Sequence, residues 1–445
     1  TAEFTEYNLF KTATRLELRG RVSKIGMGAP LDGAERLCSR TATEDDYGRF
    51  LNYYASATLS QPSLLRASFV PTLSLYSERR SEFKAFLRTA PIGASIALNR
   101  SLPRRTHNLG YSVELGRTEA QPALFCAVFS VCVEADRLAL QELQRVAVLS
   151  AATSYERADN ASDPSRGVVG RADVRYASKL TGSSAAIQFA RLTADGSIYR
   201  PLGADIVLAM RVRMGGVLGP TLALDRNASF VPAQERLFAG GPNTVRGFRQ
   251  NELGPAIYVV DTFSVAAAAG DTSFFETNDN RVASRVVPSG GDNVVIANAE
   301  LRLRSVFLPE LIQYSIFVDA GEVWNRNGST ASQSTIQVKV TPGVGVRVFT
   351  PIGPVRVDIG YNPYQAPSGP AFFSAQQRVG GEVERALYCT SPGNRLAVTP
   401  GLTLPGGTSA LPVQAAGACP ATFQPPRRAT FLSRLTFNFS IGQAF

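Results

Sequence analysis

Apolar and polar residues alternate with a period of two along most of this 445-residue chain. In residues 206–214 the even-numbered positions are apolar, whereas Arg211 and Arg213 occupy odd positions. The same alternation recurs in residues 14–24 and 336–348. Because successive side chains of a strand point to opposite faces of a sheet, the pattern predicts β-strands with one apolar face and one polar or charged face.

Alternation alone does not separate a soluble β-sandwich from a membrane barrel. The connections between the alternating segments do, because short turns alternate with long loops such as residues 218–293 and 362–428. Short turns at one end and long loops at the other are typical of outer-membrane barrels. We therefore predict that residues 1–445 form one all-β domain, a transmembrane antiparallel β-barrel. Its fifteen predicted strands are residues 1–7, 14–26, 50–60, 65–77, 83–98, 108–117, 145–156, 170–178, 185–198, 204–217, 294–307, 314–324, 335–349, 355–361 and 429–441.

Composition excludes several other classes of protein. No uninterrupted apolar run approaches the roughly 18 residues of a spanning helix, and the most apolar stretch, residues 122–133, is too short. The net charge is +10, but the arginines are spread singly along the strands, so we expect no nucleic-acid partner. Residues 135–143 are good helix formers and predict either a short helix or an extended loop. Residues 362–428, rich in proline, glycine and serine, predict an irregular external loop.

The loop of residues 218–293, hereafter the arginine loop, has an unusual centre. Phe238, Val245 and Phe248 lie there among glycine, proline and asparagine, which predicts that the segment folds back and packs against the protein. Arg246 sits between these apolar side chains, beside Gly247. A buried guanidinium without a carboxylate partner is costly, so Arg246 requires acidic partners unless the loop is an ordinary solvated one.

Two acidic residues on neighbouring predicted strands meet this requirement. If Leu301 and Leu303 face lipid, then Glu300 points into the lumen, and the same parity places Asp319 inside. We therefore predict that Arg246 pairs with Glu300 and Asp319 and pins the arginine loop inside the barrel. In the alternative interpretation the two acids only balance the arginines of a solvated wall, which are Arg302, Arg304 and Arg347.

Four motifs, in order, carry a resemblance to a known family. They are residues 239–255 with Val245, Arg246, Gly247 and Phe248 at the tip, then residues 317–321, 350–361 and 437–445. The chain resembles the BamA/TamA superfamily of outer-membrane assembly barrels over most of its length after about residue 155. The resemblance implies a barrel of the 16-strand type, with the first strand before Thr1. It also implies periplasmic POTRA domains ahead of the barrel, which we do not expect within these residues.

The resemblance also implies a function and its residues. The tip would be the functional loop, anchored by Glu300, Asp319 and Gly321. The terminal strand would form a lateral seam that opens to lipid and templates incoming strands; its marker residues are Phe437, Phe439, Gly442 and Phe445. The chain would then insert β-barrel precursors into the bacterial outer membrane. Its partners would be unfolded outer-membrane proteins, outer-membrane lipids and accessory lipoproteins. A two-partner-secretion translocator, which passes its substrate through the lumen, and a passive or structural barrel are the alternatives.

Catalytic and metal chemistry find little support in the sequence. His107 is the single histidine, and the five cysteines lack metal-ligand spacing, so we expect no enzyme, no metal and no cofactor. In an oxidising compartment the cysteines can pair. One pairing joins Cys126 to Cys132 and Cys389 to Cys419, leaving Cys38 over, and other pairings stay open.

Overall fold

The structure is a computed structural model of residues 1–445. It describes all of them except residues 10, 24–50, 63–68, 121, 130–137, 139–140, 162, 185–186, 220, 223–227, 230–231, 261–262, 268–272, 278–284, 327–336, 352, 380–381, 391–394, 404–408, 413–424, 426–429 and 442–445. Within the described residues, no helix combines the length and the apolar character needed to cross a membrane.

The chain is built almost wholly from strands. In order they are β1 Ala2–Leu9, β2 Thr14–Ser23, β3 Asn52–Ser60, β4 Val70–Glu82, β5 Phe86–Leu102, β6 Arg105–Ala120, β7 Gln144–Ala158, β8 Gly167–Ala177, β9 Phe189–Pro201, β10 Ile206–Leu218, β11 Thr221–Leu222, β12 Ala228–Ser229, β13 Ala256–Val260, β14 Phe263–Ala267, β15 Ser273–Thr277, β16 Arg285–Pro288, β17 Asn293–Arg304, β18 Ile312–Trp324, β19 Lys339–Thr350, β20 Gly353–Tyr361, β21 Ala371–Val379, β22 Glu382–Thr390, β23 Arg395–Thr403, β24 Ser409–Pro412 and β25 Leu435–Ile441. An α-helix, α1, spans Pro122–Phe129, and short 3-10 turns span Ala233–Glu235 and Leu432–Arg434.

Fifteen strands form one large antiparallel sheet, and they correspond to the fifteen predicted segments. The order is β1 to β10 in sequence, then β17, β18, β19, β20 and β25. Each strand pairs with the one before it, as expected when hairpin turns connect them. Among the described residues no backbone ladder joins β1 to β25, so these two strands are the ends of the sheet. The all-β, antiparallel barrel fold predicted from the alternation together with the lengths of the connections is confirmed.

The two faces of the sheet divide as the sequence parity requires. On β18, Ile316 and Val318 are 54% and 45% exposed on the outside, whereas Phe317 and Asp319 are 1% and 0% exposed on the inside. The outward apolar residues of β10 and β19 repeat the pattern, with Met214 52% and Val344 54% exposed. A continuous apolar outer face suits hydrocarbon, because lipid tails satisfy it without any packing partner. The arginine loop covers part of the polar face from within, at β8, β9, β17 and β18.

The prediction of an irregular loop at residues 362–428 is wrong. This segment contains β21 to β24, and two small sheets join it to the arginine loop: one in the order β16-β13-β21-β22, the other in the order β14-β15-β23-β24. Strand β13 pairs parallel to β21, so two loops far apart in sequence support each other. Composition could not reveal this pairing, because each partner lies in a different loop.

The connection between β6 and β7 contains a helix at a position that the sequence did not predict. It forms at Pro122–Phe129, whereas residues 135–143 lie largely outside the described residues. Leu124, 1% exposed, packs in an apolar cluster with Ile257 and Val259 of β13. Phe86 of β5 and Ala233 of the arginine loop belong to the same cluster. The α1 helix thus forms where tertiary contacts bury its apolar side chains.

Candidate functional site

The arginine loop leaves the sheet at the end of β10 and returns at the start of β17. Its tip comprises residues 242–248. Gly240 and Gly241, directly before the tip, have φ angles of +108° and +95°, which favour glycine. Val245, Arg246 and Phe248 are 0%, 1% and 5% exposed. The tip is therefore buried inside the barrel and is not an ordinary solvated loop.

Asp319 of β18 receives Arg246 in a fork-like arrangement. The Arg246 Nε donates to Asp319 Oδ2 at 2.8 Å, and Nη2 donates to Oδ1 at 2.9 Å. The backbone N–H of Arg246 donates to Oδ2 as well, at 2.9 Å. Asn298 of β17 donates from Nδ2 to Oδ1 at 2.8 Å and to the Thr244 carbonyl at 2.6 Å. Two charged and two neutral donors fix this carboxylate, and their geometry admits arginine in preference to lysine.

Glu300 of β17 is the second acidic partner and serves three arginines. Arg246 Nη1 donates to Glu300 Oε2 at 2.6 Å. The other oxygen, Oε1, accepts from Arg302 Nε at 2.8 Å and from Arg347 Nη2. Both acids are 0% exposed, so their charges are compensated by these arginines and not by water. The predicted contacts of Arg246 with Glu300 and Asp319 are thus present in the structure.

The guanidinium of Arg246 is further held by an aromatic ring and by its electrostatic surroundings. Its Cζ lies 3.4 Å from the ring centroid of Phe317, a cation–π contact between the two acids. Burial alone would lower the pKa of Arg246, but Asp319, Glu300 and Asp358 raise it above the usual arginine value. The side chain is therefore a permanent cation, and the tip carries its positive charge at any physiological pH.

The tip needs glycine where backbones approach closely. A Cβ on Gly247 would lie 2.5 Å from the Cβ of Thr341, and one on Gly360 would lie 2.6 Å from the Arg246 carbonyl oxygen. At Gly321 a Cβ would lie 2.9 Å from Val245 and 3.0 Å from the backbone oxygen of Val295. Gly321, predicted as an anchor, therefore acts by leaving room for Val245 against the wall.

Sequence reasoning missed a second anchor at the other end of the loop. Glu235, 2% exposed, accepts hydrogen bonds from Arg175 of β8 at 3.0 Å and from Arg191 of β9 at 3.2 Å. The neighbouring Gln234 accepts from Thr118 of β6 at 3.0 Å. The arginine loop therefore crosses the lumen. Glu235 binds arginines of β8 and β9 on one wall, and Arg246 binds acids of β17 and β18 on the other. The alternation in the sequence places Arg171, Arg175 and Arg191 on the polar face of their strands, but nothing in the sequence selects Glu235 as a partner.

A third set of contacts, also missed, involves β20 and the terminal strand. Arg356 donates from Nη2 to the carbonyl of Pro242 at 2.7 Å and to Asn243 Oδ1 at 3.1 Å. Its Nε donates to Ser440 Oγ of β25 at 2.9 Å and lies 2.9 Å from Asp358 Oδ2. The predicted third motif, residues 350–361, thus contributes Arg356 and Asp358 to the wall around the tip.

The remaining predicted residues are placed as follows. Phe437 and Phe439 are 67% and 50% exposed on the outer face of β25, and Gly442 and Phe445 lie outside the described residues. Cys126 forms a disulfide, but its partner is not among the side chains that the structure describes, so the predicted pairings stay predictions. Arg304 is solvent-exposed at the end of β17, where it pairs with Gln313 in the ladder.

A transmembrane β-barrel with a buried, arginine-tipped loop in its lumen is the class of protein that this fold and site define. Residues 8–445 match the Omp85 superfamily domain. Since the match covers nearly the whole chain, the chain belongs to the Omp85 superfamily, and the resemblance stated from its motifs is confirmed at this level.

Three of the solved structures that are similar to this chain illustrate the likeness. BamA from Haemophilus ducreyi lacking POTRA domains 1–3 matches with a TM-score of 0.57 and 16% identity, over 87% of this chain and 66% of that chain. CdiB from Acinetobacter baumannii matches with a TM-score of 0.42 and 13% identity, over 86% and 55%. CdiB from Escherichia coli matches with a TM-score of 0.41 and 12% identity, over 81% and 55%. At these identities the BamA match supports the barrel fold, and the chain spans 66% of that relative and 55% of the other two.

Proposed function

We propose that this chain is the barrel domain of a bacterial outer-membrane assembly factor, which inserts β-barrel precursors by templating their strands at a lateral seam. The observation that carries the proposal is the edge presented by β25. Its seven residues pair with β20, and among the described residues no second strand pairs with its other side. Unpaired N–H and C=O groups along a strand edge can bind an incoming strand by β-augmentation.

The short strands beside this edge support the proposal that the adjacent bilayer is thinner. Strand β18 has 13 residues and β20 has nine. At about 3.4 Å per residue and a tilt of about 45°, these strands reach about 31 Å and about 22 Å along the membrane normal. The outward residues of this region are apolar, including Phe437 and Val357. Lipids beside β20 and β25 would be compressed by several ångströms, which lowers the barrier to inserting a new strand.

Templating requires no covalent chemistry, so we propose that the domain acts without a catalytic residue, metal or cofactor. Hydrogen bonds of the substrate with water are replaced by hydrogen bonds with the β25 edge, and burial of apolar side chains in lipid drives the exchange. The proposed partners are unfolded outer-membrane proteins and outer-membrane lipids, with accessory lipoproteins assisting.

Depletion in the native bacterium, combined with reconstitution, tests the proposal. Depletion should reduce the folded amounts of several unrelated outer-membrane barrels, measured by quantitative proteomics and heat-modifiable electrophoresis. The purified protein, in the longest form that the bacterium makes, should accelerate insertion of a urea-unfolded barrel into liposomes. A photo-crosslinker at position 439 should capture that substrate. If one exported polypeptide is lost instead, and crosslinks arise inside the lumen, the protein is a secretion translocator and the proposal is wrong.

A further inference from the structure

The inner face of the terminal strand makes a regular series of contacts with the tip of the arginine loop. Thr436 Oγ1 donates to the carbonyl oxygen of Gly247 at 2.8 Å. Asn438 Nδ2 donates to the carbonyl oxygen of Arg246, also at 2.8 Å. Ser440, two residues further, accepts from Arg356, which itself holds the backbone at Pro242. Every second residue of β25 thus reaches the tip, directly or through one side chain.

The shape of the wall allows this approach. Gly360 of β20 pairs with Thr436 in the ladder, and a Cβ there would lie 2.8 Å from the Gly247 Cα. The tip backbone therefore lies directly on the β20–β25 pair. Thr436 and Asn438 are 7% and 8% exposed, so water does not compete freely for these hydrogen bonds.

Arg246 consequently connects two parts of the barrel. Its side chain binds Glu300 of β17 and Asp319 of β18, while its carbonyl oxygen binds Asn438 of β25. Strands β18 and β25 are not neighbours in the sheet, since β19 and β20 lie between them. The tip therefore spans these strands from the inside, and it supports a strand that the described part of the sheet holds on one side only.

We propose that Thr436 and Asn438 are positioning residues through which docking of the tip fixes the terminal strand. With the tip docked, β25 is held against β20 by its ladder and by the tip. With the tip released, only the ladder remains, and β25 can tilt or separate at its edge. The coupling must be reciprocal, so that loosening β25 weakens docking of the tip to the same degree. This inference deepens the proposed function, because β25 is the edge to which a substrate strand would add.

The chain offers a matched control for the test. Thr106 and Asn108 of β6 have the same Thr-x-Asn spacing as Thr436 and Asn438. Their partners are Ser154 and Asn99, at 2.6 Å each, and neither contacts the tip. T106V/N108A therefore removes the same groups from another strand.

The experiment measures backbone hydrogen exchange in the purified full-length protein in lipid nanodiscs, after heat-modifiable electrophoresis has shown that each variant is folded. T436V/N438A should accelerate exchange at residues 435–441 and in the tip by about tenfold or more, since each lost hydrogen bond shifts an equilibrium by about fivefold to tenfold. Arg246→Lys, which leaves β25 unaltered, should accelerate exchange at residues 435–441 as well. T106V/N108A should leave both regions unchanged.

The proposal is overturned if Arg246→Lys frees the tip while residues 435–441 exchange as in the wild type. It is also overturned if T436V/N438A loosens β25 without affecting the tip. Where T436V/N438A does not fold, Arg246→Lys alone decides. Liposome insertion of a barrel precursor, measured on the same samples, is a separate readout. Coupled exchange without any insertion activity would leave the tip-to-strand connection standing and remove the proposed function.

Discussion

Replacing Arg246 with lysine tests whether ion pairing holds the tip. The arginine side chain donates three hydrogen bonds to two acids: Nε and Nη2 to Asp319, and Nη1 to Glu300. These acids lie on different strands, and a single lysine ammonium cannot reproduce the fork on Asp319 while reaching Glu300. The stacking of the guanidinium on Phe317 is lost as well.

The magnitude follows from these contacts. Losing two charge-assisted hydrogen bonds costs about 3 kcal/mol at the low end of their usual range. Since about 1.4 kcal/mol corresponds to a factor of ten, the released tip becomes roughly a hundredfold more populated. The amide of Arg246 reports this directly, because its acceptor, Asp319 Oδ2, lies on the wall and is within reach only when the tip is docked.

Hydrogen exchange resolved by mass spectrometry on residues 240–250 should therefore be about a hundredfold faster in Arg246→Lys. Arg88→Lys is the control, because Arg88 is also buried and its hydrogen bonds, to Glu114 at 2.6 Å and to Thr118 at 3.2 Å, go to β6 and not to the tip. It should leave tip exchange unchanged. Unaltered tip exchange in a folded Arg246→Lys barrel would refute the reasoning, and would show that burial of Val245 and Phe248 alone holds the tip.

Two further predictions concern the other contacts of the arginine loop. Glu235→Gln removes the charge that Arg175 and Arg191 share, so the loop should detach from the β8–β9 wall. Planar-bilayer recordings should then show more frequent openings while tip exchange stays normal, and wild-type conductance would contradict the second anchor. Gly247→Ala should release the tip as Arg246→Lys does, because its Cβ would collide with Thr341. Gly196→Ala, at a glycine with open space around it, is the control, and the double variant Gly247→Ala/Thr341→Gly should restore tip protection.

Parity along the strands predicted much of the fold and the centre of the site. The alternation in residues 294–324 placed Glu300 and Asp319 inside, and a buried arginine in a loop required such partners. The inward orientation needs only local sequence and the cost of an unpaired charge, whereas the choice of these two acids over a solvated wall rested mostly on the resemblance to the BamA/TamA superfamily.

The parts that sequence could not predict depend on the path of the loop in three dimensions. From the sequence, any inward arginine could pair with Glu235. The observed pairing with Arg175 and Arg191 depends on where the loop crosses the lumen. Asn438 has an ordinary inward position on a terminal strand, and only the course of the tip gives it the Arg246 carbonyl as a partner. The sheets built from β13 to β16 and β21 to β24 likewise arise between two loops, so neither loop alone carries their signal.

The separation of the two ends of the arginine loop along the chain has a consequence for folding. Glu235 meets arginines only 60 and 44 residues earlier, whereas the tip meets Asn438 and Thr436 across 192 and 189 residues. Contacts that close long stretches of chain form late, because the entropy of closure must be overcome before they contribute. Glu235 can therefore bind Arg175 and Arg191 once β8 and β9 have formed, whereas the tip can complete its contacts only after β25 has paired. Seating of the tip would then mark the completion of the barrel itself.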